Sequence, residues 1–486
     1  MSSSTALAQG PYPLGGEFRS NTYTVGYQAN SSVAMDDLGG FVVVWEGRDA
    51  DDSVGVYVQR YGSNGTPQGG QTRANTYTAD TQWDPDIAMD ADGDFVVTWA
   101  SRFQEGPEFN FGVYARRFSA SGVPQGSEFH VNTSAAGTQW YPKVAMDADG
   151  NFVIAWRGPD SDSDGIFARR YTAAGLTDGP EFRVNTYTAD AQREPEIAMS
   201  ADGDFVVTWS SWGQDGFANG VYAQRYGASG GSLGAEFRVN PSTAGNERYA
   251  SVAMDDDGDF AVTWMQSDGS AVGVFAQRYT AAGTPDGPAF RVNSFTEGNQ
   301  LGTSVDMDAD GDFVVTWYRI KTEEDRDVYV QQFNAAGVPQ GPETLVNTFT
   351  TGRQESPRVA LDGDGDFVVT WTDWEQDGDS LGVYAQRYSA RPVVSEPDVQ
   401  AMLSLTVFPN PVGDDGALVR FEVPGSRPVR VAVYDSLGRE VAVLLDRNAS
   451  GEQAVNVDTS DWPAGMYVVR VEALGHVSTS RLIVAQ

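Results

Sequence analysis

The apolar positions of the chain fall in short runs rich in valine, phenylalanine and tryptophan, and no helical period is sustained for long. One run, "DGDFVVTW", recurs with small changes along most of the chain. The tryptophans that end it are spaced 54, 57, 53, 55, 53 and 54 residues apart, at Trp45, Trp99, Trp156, Trp209, Trp264, Trp317 and Trp371. A period of about 50 residues with several strands per unit predicts a β-propeller or a β-solenoid.

One repeat unit, residues 86–133, divides into four predicted strands. "DIAMD" and "DFVVTW" are the first two, and the turn "ADG" joins them. A variable polar loop follows, and then come "GVYARRF", the turn "SASGVPQG" and "SEFHVNT". Because Gly, Pro and Asp at the joints favour tight antiparallel connections, each unit is predicted to form one four-stranded blade.

The two ends of the repeat region distinguish a closed ring from an open solenoid. The segment "GEFRSNTYT" at 16–24 matches the fourth strand of other units but precedes the first complete unit. The seventh unit stops after its third strand, at 382–390. The surplus N-terminal strand is therefore predicted to complete the seventh blade. The expected fold is all-β, a seven-bladed propeller whose closure removes sheet edges.

Residues that recur in every unit are expected to serve the scaffold. The repeated tryptophan is predicted to fill the space between neighbouring blades. The strand "VYAQR" places a tyrosine and an arginine near it in most units, as with Tyr57 and Arg60. An arginine over an aromatic face suggests a structural cation–π pair.

The segment before each "FVVTW" strand is acidic, and we call it the acidic turn. The seven acidic turns are 36–40, 90–94, 147–151, 200–204, 255–259, 308–312 and 362–366. Glycine is present in all seven, whereas Leu38, Gly40, Asn151 and Ser200 each replace a carboxylate. This pattern favours a hairpin turn capped by aspartate. Weak calcium binding, by Asp90, Asp92 and Asp94 for example, is the alternative, although the spacing lacks the distal carboxylate of an EF-hand. Catalysis is the least favoured interpretation.

The opposite face of the disc, where the first strands begin and the post-tryptophan loops lie, is the usual ligand side of a propeller. One position there carries Gln28, Gln82, Gln139, Gln192, Glu247, Gln300 and Gln354. A ring of amides could bind a polar ligand, and Gln82, Gln139 and Gln192 are candidates for that role. The alternative, which we favour, is that the amides bridge adjacent blades.

The next residue along differs from blade to blade: Ala29, Trp83, Trp140, Arg193, Arg248, Leu301 and Glu355. Two tryptophans followed by two arginines make an asymmetric patch on consecutive blades. Loops after the blade tryptophans add Phe109, Phe111, Trp212 and Trp374. Aromatic rings among amides and acids are typical of carbohydrate sites, which predicts a glycan ligand. The alternative is that these rings pack beneath their own loops.

The amino-acid composition limits the classes of molecule that the protein is expected to bind. The formal net charge is −35, from 67 acidic and 32 basic residues, which disfavours nucleic acid and anionic membranes as partners. The same surplus of aspartate and glutamate over lysine suggests a high-salt habitat. There is no cysteine and there are two histidines, so thiolate chemistry is excluded and His-based triads or metal sites are disfavoured. No cofactor is predicted, and no apolar run approaches the roughly 20 residues of a membrane span.

An enzyme acting on glycans is the rival functional class. Glycosidases need paired carboxylates, and acids are available in the loops at Asp160, Asp162, Glu323, Glu324, Asp325, Glu375 and Asp377. The sequence pairs no two of them at a defined separation. We therefore expect a non-enzymatic binding or adhesion protein, with a glycan-active glycosidase or lyase, or a protein-interaction scaffold, as the alternatives.

After a Pro-containing linker at 391–403, residues 404–486 form a second predicted module of alternating strands, typical of a small Ig-like β-sandwich. Its motifs "FPNP", "YD" with "GR", "GMY" and "RLIV" occur in that order. This module resembles the type A C-terminal sorting domain of cargo of the type IX secretion system of Bacteroidota-like bacteria. The residues that carry the resemblance are Pro409, Asn410, Pro411, Tyr434, Asp435, Gly438, Gly465, Tyr467 and Arg481.

The resemblance implies export in two steps, the second through outer-membrane type IX machinery, and a secreted or cell-surface location. The propeller repeats resemble, more loosely, those of large bacterial surface proteins. At the N-terminus, residues 1–15 are interpreted as a leader remnant or tail, because "ALA" before Gln9 resembles a signal-peptidase site without its apolar region. The propeller is predicted to span 16–390.

Overall fold

A computed structural model describes residues 10–390 and 405–485 of the chain. Within these ranges it leaves out 49–53, 107–109, 135–136, 244, 268, 270, 377, 379, 414–415, 436–438, 461 and 474–475. The described residues form strands and turns only, and the chain divides into two compact units, Met1–Arg391 and Pro392–Gln486. No helix with the length and hydropathy of a membrane-spanning segment occurs among them.

The first unit consists of seven antiparallel sheets in chain order, the blades 1 to 7. The first strands are Gln28–Met35, Gln82–Met89, Trp140–Met146, Gln192–Met199, Arg248–Met254, Gln300–Met307 and Gln354–Leu361. The second strands are Phe41–Arg48, Phe95–Arg102, Phe152–Pro159, Phe205–Trp212, Phe260–Ser267, Phe313–Ile320 and Phe367–Asp373. The third strands are Val54–Tyr61, Phe111–Phe118, Asp164–Tyr171, Asn219–Tyr226, Val272–Tyr279, Arg326–Phe333 and Gly382–Ser389. The fourth strands of blades 1 to 6 are Thr72–Arg73, Phe129–His130, Phe182–Arg183, Phe237–Arg238, Phe290–Arg291 and Thr344–Leu345.

The fourth strand of blade 7 comes from the N-terminus, as predicted. Phe18–Arg19 pairs with the third strand of blade 7, and Tyr12–Pro13 pairs with the end of the same strand. The first strands of adjacent blades contact one another around the whole ring, blade 7 against blade 1 included. The seven-bladed propeller and its permuted closure are therefore confirmed.

A repeated asparagine fastens each outer strand. In every blade, the side-chain oxygen of an asparagine after the fourth strand accepts the N–H of a buried third-strand residue, at 2.7–2.9 Å. In blade 7 this asparagine is Asn21 and the donor is Val383 N, so the bond joins the two ends of the propeller. The closing strand is thus held by the same interaction as the six strands that are continuous with their blades.

The cores of the propeller lie between blades. The seven repeated tryptophans are almost completely buried, and Trp99, for example, packs in one cluster with Val42 and Val58 of the preceding blade. This confirms that the tryptophans fill the space between blades. The predicted cation–π role of the "VYAQR" arginine is wrong: Arg60 donates from Nη1 to Ser121 O of blade 2 at 2.8 Å, and Arg73 lies over Tyr57 instead.

The same arginine connects other blades. Arg117, Arg225, Arg278 and Arg387 also donate to backbone carbonyls in the last turn of the following blade. A guanidinium extended past the end of its strand reaches the neighbouring turn, and this is why it does not sit on the aromatic ring of its own strand. The residue therefore connects blades on the face that carries the acidic turns.

The acidic turns are hairpin corners, as the glycine pattern predicts. Their seven glycines adopt φ between 79° and 88°, a region that favours glycine. Asp90 Oδ1 accepts the N–H groups of Asp92 and Asp94, and Asp94 Oδ1 accepts that of Ala120 in the adjoining turn. The first and last acids of the turn thus cap backbone groups. These contacts favour the structural interpretation over calcium binding.

The second unit is an all-β module, as predicted. Its strands are Thr406–Phe408, Ala417–Tyr434, Glu440–Val457, Gly465–Ala473 and His476–Val484. The long strand Ala417–Tyr434 pairs with Thr406–Phe408 over its first part and with Gly465–Ala473 over its last part. One hydrophobic core, which includes Val419, Val431 and Val469, joins both parts.

Replacing Asn21 with alanine is expected to weaken the closure of the ring. The N–H of Val383 would lose its acceptor in a fully buried place, which should lower the free energy of unfolding by about 1–3 kcal/mol. Urea unfolding followed by tryptophan fluorescence measures this, because all tryptophans except Trp462 lie in the propeller. Asn456→Ala, at an exposed position of the second unit, is the control. An unchanged midpoint for Asn21→Ala would contradict this role.

Candidate functional site

Every first strand contains a bulge at its second or third residue, on the face opposite the acidic turns. The strand register shifts at this point in all seven blades. The bulged residues have φ between 49° and 64°, and six of the seven are not glycine: Asn30, Asp84, Tyr141, Glu194, Tyr249, Gly302 and Ser356. We call these seven the axial ring, because the innermost strands carry them. Left-handed backbone at non-glycine residues is costly, and it clusters at functional sites.

Charged groups converge on the axial ring from several blades. Glu46 accepts hydrogen bonds from Tyr27 Oη at 2.6 Å, Asn30 Nδ2 at 2.9 Å and Asp84 N at 2.8 Å. Burial raises the pKa of Glu46 to about 7. It also raises the pKa of Asp84 to about 6, against the opposing charges of Lys143 and Arg358. A carboxyl on blade 2 therefore interacts with cations on blades 3 and 7.

Two residues further along the strands, a second polar ring lines the axis. Its members are Ser32, Asp86, Lys143, Glu196, Ser251, Ser304 and Arg358. Lys143 Nζ lies 2.9 Å from Glu196 Oε1 and 4.0 Å from Asp86 Oδ1, and Ser32 Oγ donates to Asp86 Oδ1 at 2.8 Å. Sequence reasoning missed both rings. The sequence feature that could have revealed them is a repeat position where the residue varies between units although the next two residues are nearly always Val and Ala.

The predicted tryptophans belong to a continuous row of rings. Phe111 lies between Trp83 and Trp140, with ring centroids 5.2 and 4.9 Å away, and Tyr141 follows Trp140 at 6.1 Å. Phe111 is buried, Trp83 and Trp140 are partly exposed, and Tyr141 is 38% exposed. We call these four the aromatic row. It crosses from blade 2 to blade 3 and ends at the axial ring.

The predicted arginines lie on the next two blades. Arg193 Nε is 3.2 Å from Asp164 Oδ2, which also accepts Arg157 Nη2 at 2.6 Å. Arg248 lies over the ring of Tyr249, 4.7 Å from its centroid. Glu194 Oε2 accepts Ser210 Oγ and Tyr249 N. Both arginines are therefore next to axial-ring residues. The aromatic row runs from blade 2 to blade 3, and the arginines follow on blades 4 and 5.

The other predicted aromatic residues are separate from the row. Trp212 is 49% exposed at the end of the second strand of blade 4. Trp374, on blade 7, donates from Nε1 to Glu355 Oε1 at 2.8 Å and lies under Arg353. Phe109 lies outside the described residues. Of the predicted aromatic residues that the structure describes, Trp83, Phe111 and Trp140 are thus joined in one array.

The three glutamines predicted to bind a ligand are buried. Gln82, Gln139 and Gln192 are at most 3% exposed, and protein groups occupy their amides. Gln82 and Gln192 accept from Asn75 and Asn185 of the preceding blades, at 2.8 and 3.0 Å, and Gln139 accepts from Trp156 Nε1 at 3.1 Å. The ligand-binding role for these three is wrong because a ligand cannot reach them. For Gln82 and Gln192, the bridging alternative is what the contacts show.

Blade 5 departs from this pattern. Glu247 stands in the glutamine position, is fully buried, and neither of its carboxyl oxygens has a hydrogen-bond partner among the described residues. Asn240 donates to Ser242 O, as its counterparts Asn75 and Asn185 do to Tyr77 O and Tyr187 O, and Trp264 Nε1 donates to Gln266. Burial raises the pKa of Glu247 to about 7. The joint between blades 4 and 5 is therefore weaker when this carboxyl is charged.

A cavity of about 410 Å³ lies on the axis at the other face. The ends of the first strands line it with six methionines and one leucine: Met35, Met89, Met146, Met199, Met254, Met307 and Leu361. Acidic-turn residues surround its opening, and burial raises the pKa of Asp255, Asp308 and Asp362 to about 6. Within the described ranges, no group of three or more His, Cys, Asp or Glu side chains is arranged to hold a metal ion.

The motifs of the second unit hold its last strand and one turn. Asn410 Nδ2 donates to Arg481 O at 2.6 Å, and Asn410 Oδ1 accepts Ile483 N at 2.8 Å, so the "FPNP" segment is fastened to the C-terminal strand. Arg439 donates from N and Nε to Asp435. Gly438 lies outside the described residues.

The remaining motif residues are placed nearby. Tyr434 Oη donates to Glu440, Gly465 begins the fourth strand of the unit, and Tyr467 Oη donates to Pro463 O at 2.9 Å. Pro409 and Pro411 flank the bonded Asn410. The motif residues therefore stabilise the module itself, including the strand that ends the chain.

Comparison with known families identifies this unit. Residues 406–485 match the family described as the secretion system C-terminal sorting domain. The resemblance drawn from the motifs is confirmed, and the chain carries a type IX sorting domain at its C-terminus. No curated protein matches the chain.

Solved structures resemble the propeller only distantly. A protein of unknown function from Dyadobacter fermentans is 11% identical, with a TM-score of 0.45, over 77% of this chain and 100% of its own. The polysaccharide lyase Uly1 is 11% identical, with a TM-score of 0.49, over 78% and 100%. The propeller domain of the Trilobed protease from Pyrococcus furiosus is 9% identical, with a TM-score of 0.43, over 76% and 95%. Likenesses this low carry no argument about activity.

Glu247→Gln is expected to stabilise the protein in a pH-dependent way. The folded pKa lies above the ordinary value of 4.5, so the stability that Glu247 contributes when protonated is lost as the pH rises through about 7. The variant should therefore gain about 1–3 kcal/mol at pH 8 and little at pH 4. Thermal melting at the two pH values measures this.

The matched control is the reverse change in blade 6, Gln300→Glu. The amide of Gln300 accepts from Asn293 and donates to two carbonyls, so a carboxylate there should destabilise the protein more at pH 8 than at pH 4. If Glu247→Gln changed the melting temperature equally at pH 4 and pH 8, Glu247 would not be the group whose ionisation lowers the stability.

Proposed function

We propose that this chain is an exported, non-enzymatic propeller that binds glycans at the cell surface or outside the cell. The C-terminal sorting domain supports export. The observation that carries the binding role is the aromatic row, four rings in sequence that end at a polar ring on the axis. Sugars present apolar faces and hydroxyl groups, which match stacking rings beside carboxylates and arginines.

The geometry of the row supports a ligand more than a loop core. A ring that served only to cover its own loop would be buried by that loop. Here Phe111 alone is buried, and it supports Trp83 and Trp140, whose rings remain partly exposed on both sides of it. The bulges that present Tyr141 and its counterparts are strained, and such strain is commonly retained at binding sites.

A glycan-active enzyme is the second candidate, favoured by the axial ring. Asp84 has a pKa raised by burial to about 6, and burial and the charge of Asp84 raise the pKa of Tyr141. An acid and a tyrosine near one axis are groups that act in proton transfer. Turnover of a polysaccharide by the purified protein, abolished by Asp84→Asn, would favour this candidate over binding alone.

Removing the two tryptophans tests glycan binding. Trp83→Ala with Trp140→Ala takes away both partly exposed members of the row, and we expect at least a tenfold loss of affinity for any polysaccharide that the protein binds. A glycan array followed by titration calorimetry measures this. Trp212→Ala, an exposed tryptophan on blade 4 outside the row, is the control. Unchanged binding by the double variant would remove the row from the site.

Deleting residues 404–486 tests export. The sorting domain is the part of the chain recognised by outer-membrane machinery, so a version that begins with a functional signal peptide should accumulate in the periplasm. Fractionation and surface protease digestion of the producing bacterium measure this. Asn410→Ala should give a partial defect because the last strand loses two bonds. Surface exposure of the deletion variant at normal levels would contradict the role.

A further inference from the structure

We infer that the glycan bound by the aromatic row is acidic, and that Arg193 and Arg248 recognise its carboxylate or sulfate groups. This inference rests on the proposed glycan binding and names the ligand class. The two arginines occupy the same strand position on consecutive blades, 4 and 5, as Trp83 and Trp140 do on blades 2 and 3. One ligand chain that follows this position around the disc would meet rings first and guanidinium groups next.

Both guanidinium groups have donors to spare. Arg193 is 51% exposed, and its contact with Asp164 uses Nε, so its terminal nitrogens make no hydrogen bond within the described residues. The Arg248 guanidinium has no hydrogen bond or ion pair within the described part of the chain, and its planar group lies on Tyr249. A guanidinium stacked on a ring is oriented, and its outer edge is ready for a planar anion.

The two arginines stand out against the acidic composition of the chain. The chain has 67 acidic residues and 32 basic ones, so most arginines have a carboxylate available as a partner. An arginine whose guanidinium is not paired with a carboxylate is therefore unexpected in this chain. Around the pair, Asp164 is shared between Arg157 and Arg193, while Glu194 is bonded to Ser210 and Tyr249 N. The two carboxylates beside the arginines, Asp164 and Glu194, are thus already bonded to protein groups.

Arginine suits this task better than lysine. Its planar fork can donate two parallel hydrogen bonds to a carboxylate or a sulfate, which adds orientation to attraction. The general negative field would repel a polyanion at low salt. At about 0.15 M ionic strength the Debye length is about 8 Å, so distant acids are screened while direct contacts remain. Uronic-acid chains and sulfated chains share the chemistry that the pair can recognise.

The test compares acidic and neutral polysaccharides with the full chain. Affinity electrophoresis at 0.15 M ionic strength, with polygalacturonate, dextran sulfate and neutral dextran in the gel, is expected to show retardation by at least one acidic polymer. Arg193→Gln with Arg248→Gln should weaken that binding at least tenfold and leave any binding of dextran unchanged. Lysine at position 193 (Arg193→Lys) should recover less than half of the affinity lost with glutamine there, because a single ammonium group replaces the planar guanidinium. Which acidic polymer binds tells carboxylate from sulfate.

The controls separate this inference from the proposed function. Arg183→Gln, at an exposed position on the outer strand of blade 3, makes the same change of charge and should have no effect. Equal binding of neutral and acidic polymers, or a folded double variant that keeps its acidic binding within twofold, overturns the acidic ligand alone. Binding of no polysaccharide overturns the glycan function as well. Thermal melting confirms that each variant is folded.

Discussion

The closure of the ring is the constraint on which the rest of the propeller depends. Each blade ends in a two-residue outer strand, and one buried backbone N–H in the neighbouring strand needs an acceptor that the strand itself does not supply. An asparagine fills that need in all seven blades. In blade 7 the same bond spans the two ends of the unit, so the ring that positions every first strand around the axis closes through Asn21 and the N-terminal strand.

Repetition and divergence are divided between the two faces. On the acidic-turn face, the glycine repeats in all seven blades, and capping aspartates and bridging arginines repeat in most, because each forms a contact with the backbone or allows a backbone turn. On the other face, the bulge repeats but the side chain on it does not: asparagine, aspartate, tyrosine, glutamate, glycine and serine all occur there. The scaffold thus presents six residue types at seven positions of one repeated geometry, which is how a symmetric fold carries an asymmetric site.

The fold could be predicted from the sequence because its signals are periodic. Seven tryptophans at a nearly constant spacing give the blade number, and the misplaced strand at 16–24 gives the closure. The individual roles were harder to predict. For Gln82 the sequence leaves ligand binding and the favoured bridging role open, and only the bond from Asn75 decides between them. For Arg60 the sequence suggests a contact with Tyr57, whereas the long side chain reaches the next blade. The axial ring was not predicted because a bulge is a shift in strand register. The alternation of apolar and polar residues in the sequence does not reveal such a shift.

The most direct test of the account is to locate a bound polysaccharide by hydrogen–deuterium exchange. With polygalacturonate or dextran sulfate present, the account predicts slower exchange in 82–84, 139–141, 192–194 and 247–249, which carry the row, the arginines and the bulges. The acidic turns should exchange as they do without ligand. Protection confined to the acidic turns, or spread equally over all seven blades, would contradict a site built from the divergent residues of one face.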